Sequence, residues 1–295
     1  MTGPEPSGAA PARSEPDWSD LALRFGVATL MGLVALAAMY VGGWAFRLTV
    51  ILISAAMIWE MARMLSHGPA VRPLRLPPSR RAAQPALTWA PVTLALLGAG
   101  ALLAAFLLPP GFALPLVFAP GIAGIRLMRH NRTMLMIFCI AILLAGWGLA
   151  SIRLSYGFGW ALWLALTVIA TDVFGYFAGR QFGGPKFWPR VSPKKTWSGT
   201  IAGWIAAGTV GAVWWIWLGA SPQIIGISVA ISMASQLGDI AESAMKRKMG
   251  VKDSSALLPG HGGVFDRFDG MLGGALLLIV VEALIGFPPT PLAIQ

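Results

Sequence analysis

Charge is scarce in this sequence. Asp, Glu, Lys and Arg make up 12% of its 295 residues, where a soluble domain carries roughly a quarter. That shortage excludes a water-soluble globular fold. Hydrophobic residues reach 56% and mean hydropathy is +0.70, so the bilayer is the solvent for most of the chain. Cysteine is almost absent: Cys139 stands alone inside an apolar run, which excludes an intrachain disulfide and leaves a small buried apolar side chain. The N-terminus lacks a basic stretch followed by a short apolar core and a cleavage site, so a cleaved signal peptide is not expected. Residues 1–20, rich in Pro, Ala and Ser with Glu5, Glu15, Asp17 and Asp20, read as a disordered tail. No internal repeat is visible.

Apolar runs and basic residues are what the chain does have. About 20 apolar residues cross a bilayer as a helix, and nine stretches qualify: 21–41, 44–62, 87–108, 111–127, 133–152, 157–178, 199–219, 222–240 and 268–287. The fourth is interrupted by Pro115 and Pro120. The net charge of +10 would suggest nucleic acid in a soluble protein. Here the basic residues lie between apolar spans, where topology and phosphate binding explain them and no nucleic acid is expected. With nine spans and a cytoplasmic N-terminus, the connections 63–86, 126–132, 179–198 and 241–267 all face the cytoplasm. Of the 22 basic residues only Arg47 and Arg153 fall on the other side, as the positive-inside rule requires. The proline-rich part, 68–86, reads as an irregular connection. Trp214, Trp215 and Trp217 fit an interfacial belt. The expected fold is all-α: a polytopic inner-membrane protein of about nine transmembrane helices with a polar cavity on the cytoplasmic side. The tail 1–20 precedes N-terminal helices over 21–155 and a catalytic region over 156–295.

Acids in or beside membrane spans are costly and mark function. Asp172, Asp239, Glu242, Asp253, Asp266 and Asp269 all fall near the cytoplasmic ends of their spans. In the eighth span Ser232, Ser235, Gln236, Asp239, Glu242, Ser243 and Lys246 are three or four residues apart, which makes one polar stripe along an apolar helix. Such a stripe faces protein or a water-filled cavity. In the last span Asp266, Asp269, Gly270, Gly273 and Gly274 share a face whose glycines allow close helix approach. The sixth span repeats the device with Asp172, Gly175 and Gly179. The eighth and ninth helices are therefore expected to touch along these faces and wall the cavity. The competing reading is that the acids only pair with Lys246 or Arg267 to hold helices together.

Around these acids lie two cationic segments. Residues 243–248 (Ser-Ala-Met-Lys-Arg-Lys), Lys252-Asp253 and Pro259-Gly-His261-Gly-Gly263 precede Asp266-Arg267-Phe-Asp269. Ser192-Pro-Lys194-Lys195-Thr196 precedes the seventh span, where free helix N–H groups favour anions. Carboxylates beside cations suit a Mg²⁺–polyphosphate guest: acids take the metal and cations take phosphate oxygens.

The run Ser243-x-x-Lys246-Arg247-x₄-Lys252-Asp253-x₅-Pro259-x-His261-Gly262-Gly263-x-x-Asp266-Arg267-x-Asp269 resembles the signature of the phosphatidate cytidylyltransferases, the CDP-diglyceride synthases. Gln236-Leu-Gly-Asp239 and Ser192-Pro-Lys-Lys-Thr196 match as well. The motifs cover about 170–275, and residues 1–165 match in hydropathy alone. Many members carry an acid or amide where this chain has Ser198. The resemblance implies that CTP and phosphatidate, a membrane lipid, give CDP-diacylglycerol and pyrophosphate with Mg²⁺, and it admits K⁺ as a second cation. It implies Asp239 and Asp266 as metal ligands, Asp269 in support, and Ser243 and Lys246 on phosphate groups. Ser192, Lys194, Lys195, Thr196, Arg247, Lys252, His261 and Arg267 are the candidate substrate-binding residues. A homo-oligomer is left open. Two alternatives remain: a cytidylyltransferase for another lipid phosphate, and an ion-coupled secondary transporter, whose site would lie at the midplane. The CDP-alcohol phosphotransferases are a poor match, because Asp269-Gly270 is followed by Met-Leu-Gly-Gly.

Overall fold

In a computed structural model, residues 18–66 and 89–288 are described. The expected tail lies outside them up to residue 17, as do most of the 63–86 connection with its prolines and residues 289–295. The chain is a helical bundle in the order α1 (Trp18–Val41), α2 (Gly43–Ser66), α3 (Trp89–Leu107), α4 (Pro110–Leu116), α5 (Ala119–Leu127), α6 (Arg132–Tyr156), α7 (Phe158–Phe182), β1 (Lys186–Trp188), β2 (Ser192–Thr196), α8 (Trp197–Leu218), α9 (Gln223–Met249) and α10 (Phe265–Ile285). Among the described residues, seven helices are long and apolar enough to cross a membrane: α2, α3 and α6 to α10. The described apolar stretch of α1, Phe25–Val41, is shorter.

Nine continuous spans are not what is seen. The fourth is broken into α4, which contains Pro115, and α5, which has a proline in its first turn. Proline lacks the N–H that would carry the helix across the junction. The broken pair still returns the chain towards its starting level. Gly124, near the end of α5, packs on Leu135 at the start of α6 and on Leu94 near the start of α3. Two boundaries also move. α9 runs to Met249, nine residues beyond the expected end of the eighth span, so Ser243 to Lys248 belong to a helix and not to a loop. Lys246, Arg247 and Lys248 form its last turn, where cations complement the helix dipole, and Gly250 closes it at φ 71°. The connection after α7 is a hairpin: β1 and β2 pair antiparallel, Lys186 with Thr196 and Trp188 with Ser192.

Contacts divide the bundle into two ends. At one end Asn131 Nδ2 donates to the carbonyl of Leu65 (3.4 Å) and lies 3.5 Å from Met249 Sδ, which brings the C-termini of α2 and α9 beside the start of α6. At the other end the two basic residues that stand apart from the rest both have local work. Arg153 donates from Nε to the Met39 carbonyl (2.5 Å) and from Nη2 to that of Tyr40 (3.0 Å), satisfying the exposed carbonyls where α1 stops. Arg47 stacks on Trp44 and Phe106 at 4.9 and 5.9 Å.

α7, α8, α9 and α10 meet through small residues. A Cβ on Gly273 would collide with the Ala234 carbonyl oxygen, and one on Gly238 with that of Asp269, so α9 and α10 touch backbone to backbone. The stripe on α9 splits into two parts. Its lower part is glue: Ser228 accepts from Trp163 Nε1 (2.9 Å), Ser232 from Thr171 Oγ1 (2.8 Å), and Gln236 from Trp204 Nε1 (3.0 Å) while donating to the Thr200 carbonyl (3.3 Å). Its upper part, from Asp239 on, opens into a cavity.

Candidate functional site

The ends of α7, α9 and α10, with the hairpin and the start of α8, enclose a cavity of about 780 Å³. Asp172, Asp239, Asp253, Asp266 and Asp269 line it, together with Arg180, Lys186, Lys194, Lys195, Lys246 and Arg267. Acids and bases from distant positions thus share one volume at one end of the bundle.

β2 carries Lys195 over α9, where its Nζ lies 2.5 Å from Asp239 Oδ2. Asp239 Oδ1 accepts from Ser243 Oγ one helical turn on, at 3.2 Å. Lys246 bridges two acids, 2.6 Å from Glu242 Oε2 and 2.8 Å from Asp266 Oδ1. Asp266 also accepts from the backbone N–H groups of Ser254 (3.2 Å to Oδ1, 3.0 Å to Oδ2) and Gly263 (2.8 Å to Oδ2). Asp269 accepts from the N–H of Gly270 at 2.7 Å. The reading in which acids pair with Lys246 to hold helices is therefore part of the geometry, though pairing alone would need no cavity.

One oxygen from each of Asp239, Glu242 and Asp269 can be chosen so that all three lie within 4.8 Å of one another. Glu242 is buried, and its Oε1 has no hydrogen-bond partner. A desolvated carboxylate oxygen left unpaired beside two further acids suits a hard divalent cation. Asp266, expected to share a metal with Asp239, lines the same cavity but stands outside this trio, held by Lys246 and two N–H groups. Glu242 was among the six acids singled out by sequence but had no assigned role.

The substrate-binding candidates divide. Lys194, Lys195, Thr196 and Arg267 line the cavity; Ser192, Arg247, Lys252 and His261 are not among its lining residues. Ser192 sits in the hairpin ladder opposite Trp188. Thr196 is the N-cap of α8, its hydroxyl accepting from Gly199 N–H at 3.3 Å. Ser198, to which no role was given, donates to the Gly183 carbonyl at 2.5 Å and so ties the hairpin base to α8. His261 Nδ1 lies 3.3 Å from the Pro259 carbonyl, and the His261 carbonyl accepts from Arg267 Nε (3.1 Å) and Nη2 (2.6 Å). Its backbone, more than its ring, is engaged.

Sequence reasoning missed Arg180 and Lys186, which read as ordinary positive-inside residues, and Glu60. Glu60 is the one acid of an apolar span, and that rarity was the available signal.

The profile of a family described as "Cytidylyltransferase family" matches residues 22–285. A protein of Brucella suis named phosphatidate cytidylyltransferase is 37% identical over 289 residues, covering 94% of this chain and 98% of its own. A Brucella abortus protein of the same name is 36% identical over 283 residues, covering 92% and 96%. One from Mycobacterium tuberculosis is 39% identical over 136 residues, 44% of this chain and 40% of its own. With nearly its whole length matched by the family profile, and by relatives whose own length it covers almost completely, this chain belongs to the cytidylyltransferase family.

Proposed function

We propose that the chain transfers a cytidylyl group from CTP to the phosphate of phosphatidate, giving CDP-diacylglycerol and pyrophosphate for phospholipid synthesis. The observation that carries this reading is the mixed-sign cavity at the ends of three membrane helices, where a water-soluble nucleotide and a lipid phosphate can meet. The lipid tails stay in the bilayer, and the triphosphate enters from the aqueous end.

A phosphatidate oxygen attacks the α-phosphorus of CTP, the bond from that phosphorus to the β-phosphate bridging oxygen breaks, and pyrophosphate leaves. The attacking phosphate is already an anion at neutral pH, so it needs little help from a general base. What the reaction needs is positioning and charge neutralisation. Lys194, Lys195, Lys186, Arg180 and Arg267 supply positive charge along the cavity wall. Lys195 and Asp239 neutralise each other in the pair described above, and a metal–triphosphate complex satisfies both partners at once. Lys246 keeps Glu242 and Asp266 beside one another. Asp239, Glu242 and Asp269 would hold Mg²⁺, with Asp266 fixing the cation side of the cluster. When bound, Mg²⁺ neutralises phosphate charge as the leaving group departs. K⁺ as a second cation belongs to the same proposal.

The reading also places the enzyme in the inner membrane, with its N-terminus and this cavity cytoplasmic. Cysteines introduced singly into 183–195 or 250–264, in a Cys139→Ala background, should label only after the inner face is opened; labelling in intact cells would reverse the orientation. For the reaction, purified protein should release pyrophosphate with CTP and phosphatidate together and with neither alone. Faster turnover on an isoprenoid phosphate than on phosphatidate would transfer the assignment to that lipid, and absence of any CTP-dependent release would overturn it.

A further inference from the structure

Glu60 lies near the end of α2, outside the cavity, and is 0% exposed. It is nevertheless fully engaged. Oε1 accepts from Ser255 Oγ (2.6 Å) and Val264 N–H (2.9 Å), and Oε2 accepts from Ser254 Oγ (3.1 Å) and Phe265 N–H (2.7 Å). Three of the four donors belong to the segment that joins α9 to α10, and the fourth is the first residue of α10. Val264 is the N-cap of α10 and Phe265 its first residue, so the two amides are donors that a helix start leaves without intrahelical partners. A carboxylate there also meets the positive end of the helix dipole. It is supplied by a helix some two hundred residues away in sequence.

The same segment holds Asp266, and the two sets of bonds interleave. Ser254 gives its hydroxyl to Glu60 and its N–H to Asp266. Gly263 gives its N–H to Asp266 while the next two N–H groups go to Glu60. The packing leaves no space for a side chain between them: a Cβ on Gly263 would fall on Ser254 Oγ and 2.6 Å from Glu60 Oε2. Asp266 in turn holds Lys246, and Lys246 holds Glu242.

We propose that Glu60 is a positioning residue for the transfer reaction: by clamping Ser254–Phe265 from α2, it fixes the two N–H groups that orient Asp266 and, through Lys246, the metal-side carboxylate of Glu242. This rests on the reaction proposed above. The N-terminal helices thereby take part in catalysis without touching substrate. Glu60→Gln is the incisive change, since every partner is a donor and the amide offers one acceptor in place of two, turning its NH₂ against other donors. Ser255→Ala removes one strand of the clamp without touching Asp266. Ile51→Ala, a buried α2 residue, is the control for general loosening of the helix.

The test uses the purified full-length protein and two readouts: amide hydrogen exchange of the 254–265 segment without substrate, and steady-state kinetics with CTP and phosphatidate. Glu60→Gln should speed exchange in that segment by about tenfold or more. It should also lower kcat about tenfold or more while KM for CTP changes by less than about threefold, as misplacement of reacting groups does. Ser255→Ala should do the same in smaller measure, and Ile51→Ala should lower thermal stability with neither change. Unchanged exchange or unchanged kcat in Glu60→Gln would overturn the proposal, as would an equal loss of kcat in Ile51→Ala at matched stability. If Glu60→Gln fails to fold, Ser255→Ala decides by the same two readouts. Wild-type protein inactive with CTP and phosphatidate would sink the proposed reaction, and exchange in the variants would still decide whether Glu60 holds the segment.

Discussion

The first six helices and the last four solve the same packing problem in different ways. Around α2, α3 and α6 the interior is filled by large apolar side chains, with Ile58, Met61, Leu65, Leu94, Leu102, Leu135 and Leu143 fully buried. Between α7, α8, α9 and α10 backbones approach through glycines, and hydroxyl, amide and indole groups bond across the interfaces. In lipid there is no hydrophobic drive between helices, so both rely on close packing, and small residues with interhelical hydrogen bonds serve as well as leucine does. The small-residue solution leaves polar side chains free to continue past the packed zone and converge at one end. The acids sit where the glycines make room for them.

The sharpest way to break this contrast is to remove charge in one region and volume in the other. Asp239→Asn and Asp266→Asn should each lower kcat by about 10³-fold, with the protein still inserted in the membrane. Leu102→Ala, in the first region, should cost about 2–5 kcal/mol of stability and leave kcat within about twofold. Turnover by purified, folded variants is the measurement. A Leu102→Ala enzyme as impaired as the aspartate variants would erase the distinction. So would an Asp239→Asn enzyme with near-normal turnover at limiting Mg²⁺, which would also remove Asp239 from the proposed metal site.

Gly273→Leu tests whether close approach itself matters. The new side chain would meet the Ala234 carbonyl, pushing α10 from α9 without altering any acid. A displacement near 1 Å can cost about 10²-fold in rate, and a loss of that order in kcat is expected, with Asp239, Asp266 and Asp269 all intact. Full activity would mean that helix spacing does not set the geometry of the cluster.

Much of the second region was legible because lipid makes polarity expensive. The stripe from Ser232 to Lys246 and the Asp266–Gly274 face read directly as protein-facing surfaces, and α9 and α10 do meet, with Lys246 reaching Asp266 across the contact, while Ser232 and Gln236 turn to α7 and α8. The seam itself runs one residue earlier on α9, through Ala234 and Gly238, because the contact is made by backbones and the acids stand beside it. The hairpin was not legible: strands of three and five residues, Lys186–Trp188 and Ser192–Thr196, are too short to carry an alternation to detect. Nor was the partner of Lys195, since only the hairpin decides which of two adjacent lysines reaches Asp239. Glu60 lay in a run that reads as an ordinary apolar span, and two of its four partners are backbone amides, which carry no residue-type signal.

Lys195 sharpens the contrast on the cation side. It is the hairpin cation paired with Asp239 in the cavity. Lys195→Met should raise KM for CTP by about tenfold, the worth of one or two hydrogen bonds to a charged group. Saturating CTP should restore much of the rate. A change in kcat alone would instead place Lys195 on the transition state.

The smallest effects should come from cations that share the sequence motif but not the cavity. Arg247 and Lys252 are exposed, and neither lines the site. Arg247 lies in the last turn of α9, where a cation near the helix C-terminus is worth about 0.3–1 kcal/mol. That contribution goes to the folded helix and is present whether or not nucleotide is bound. Lys252, two residues past the Gly250 cap, faces solvent, where its attraction for a triphosphate is screened within about 8 Å at physiological salt. Arg247→Gln and Lys252→Gln should therefore keep kcat/KM for CTP within about twofold of wild type at physiological salt, with Arg247→Gln slightly less stable on heating. A tenfold loss at Lys252 would mean that the segment before Glu60's serines folds over the nucleotide during turnover. The cavity wall would then include a surface that faces water in this structure, and the division between the two groups of cations would fail.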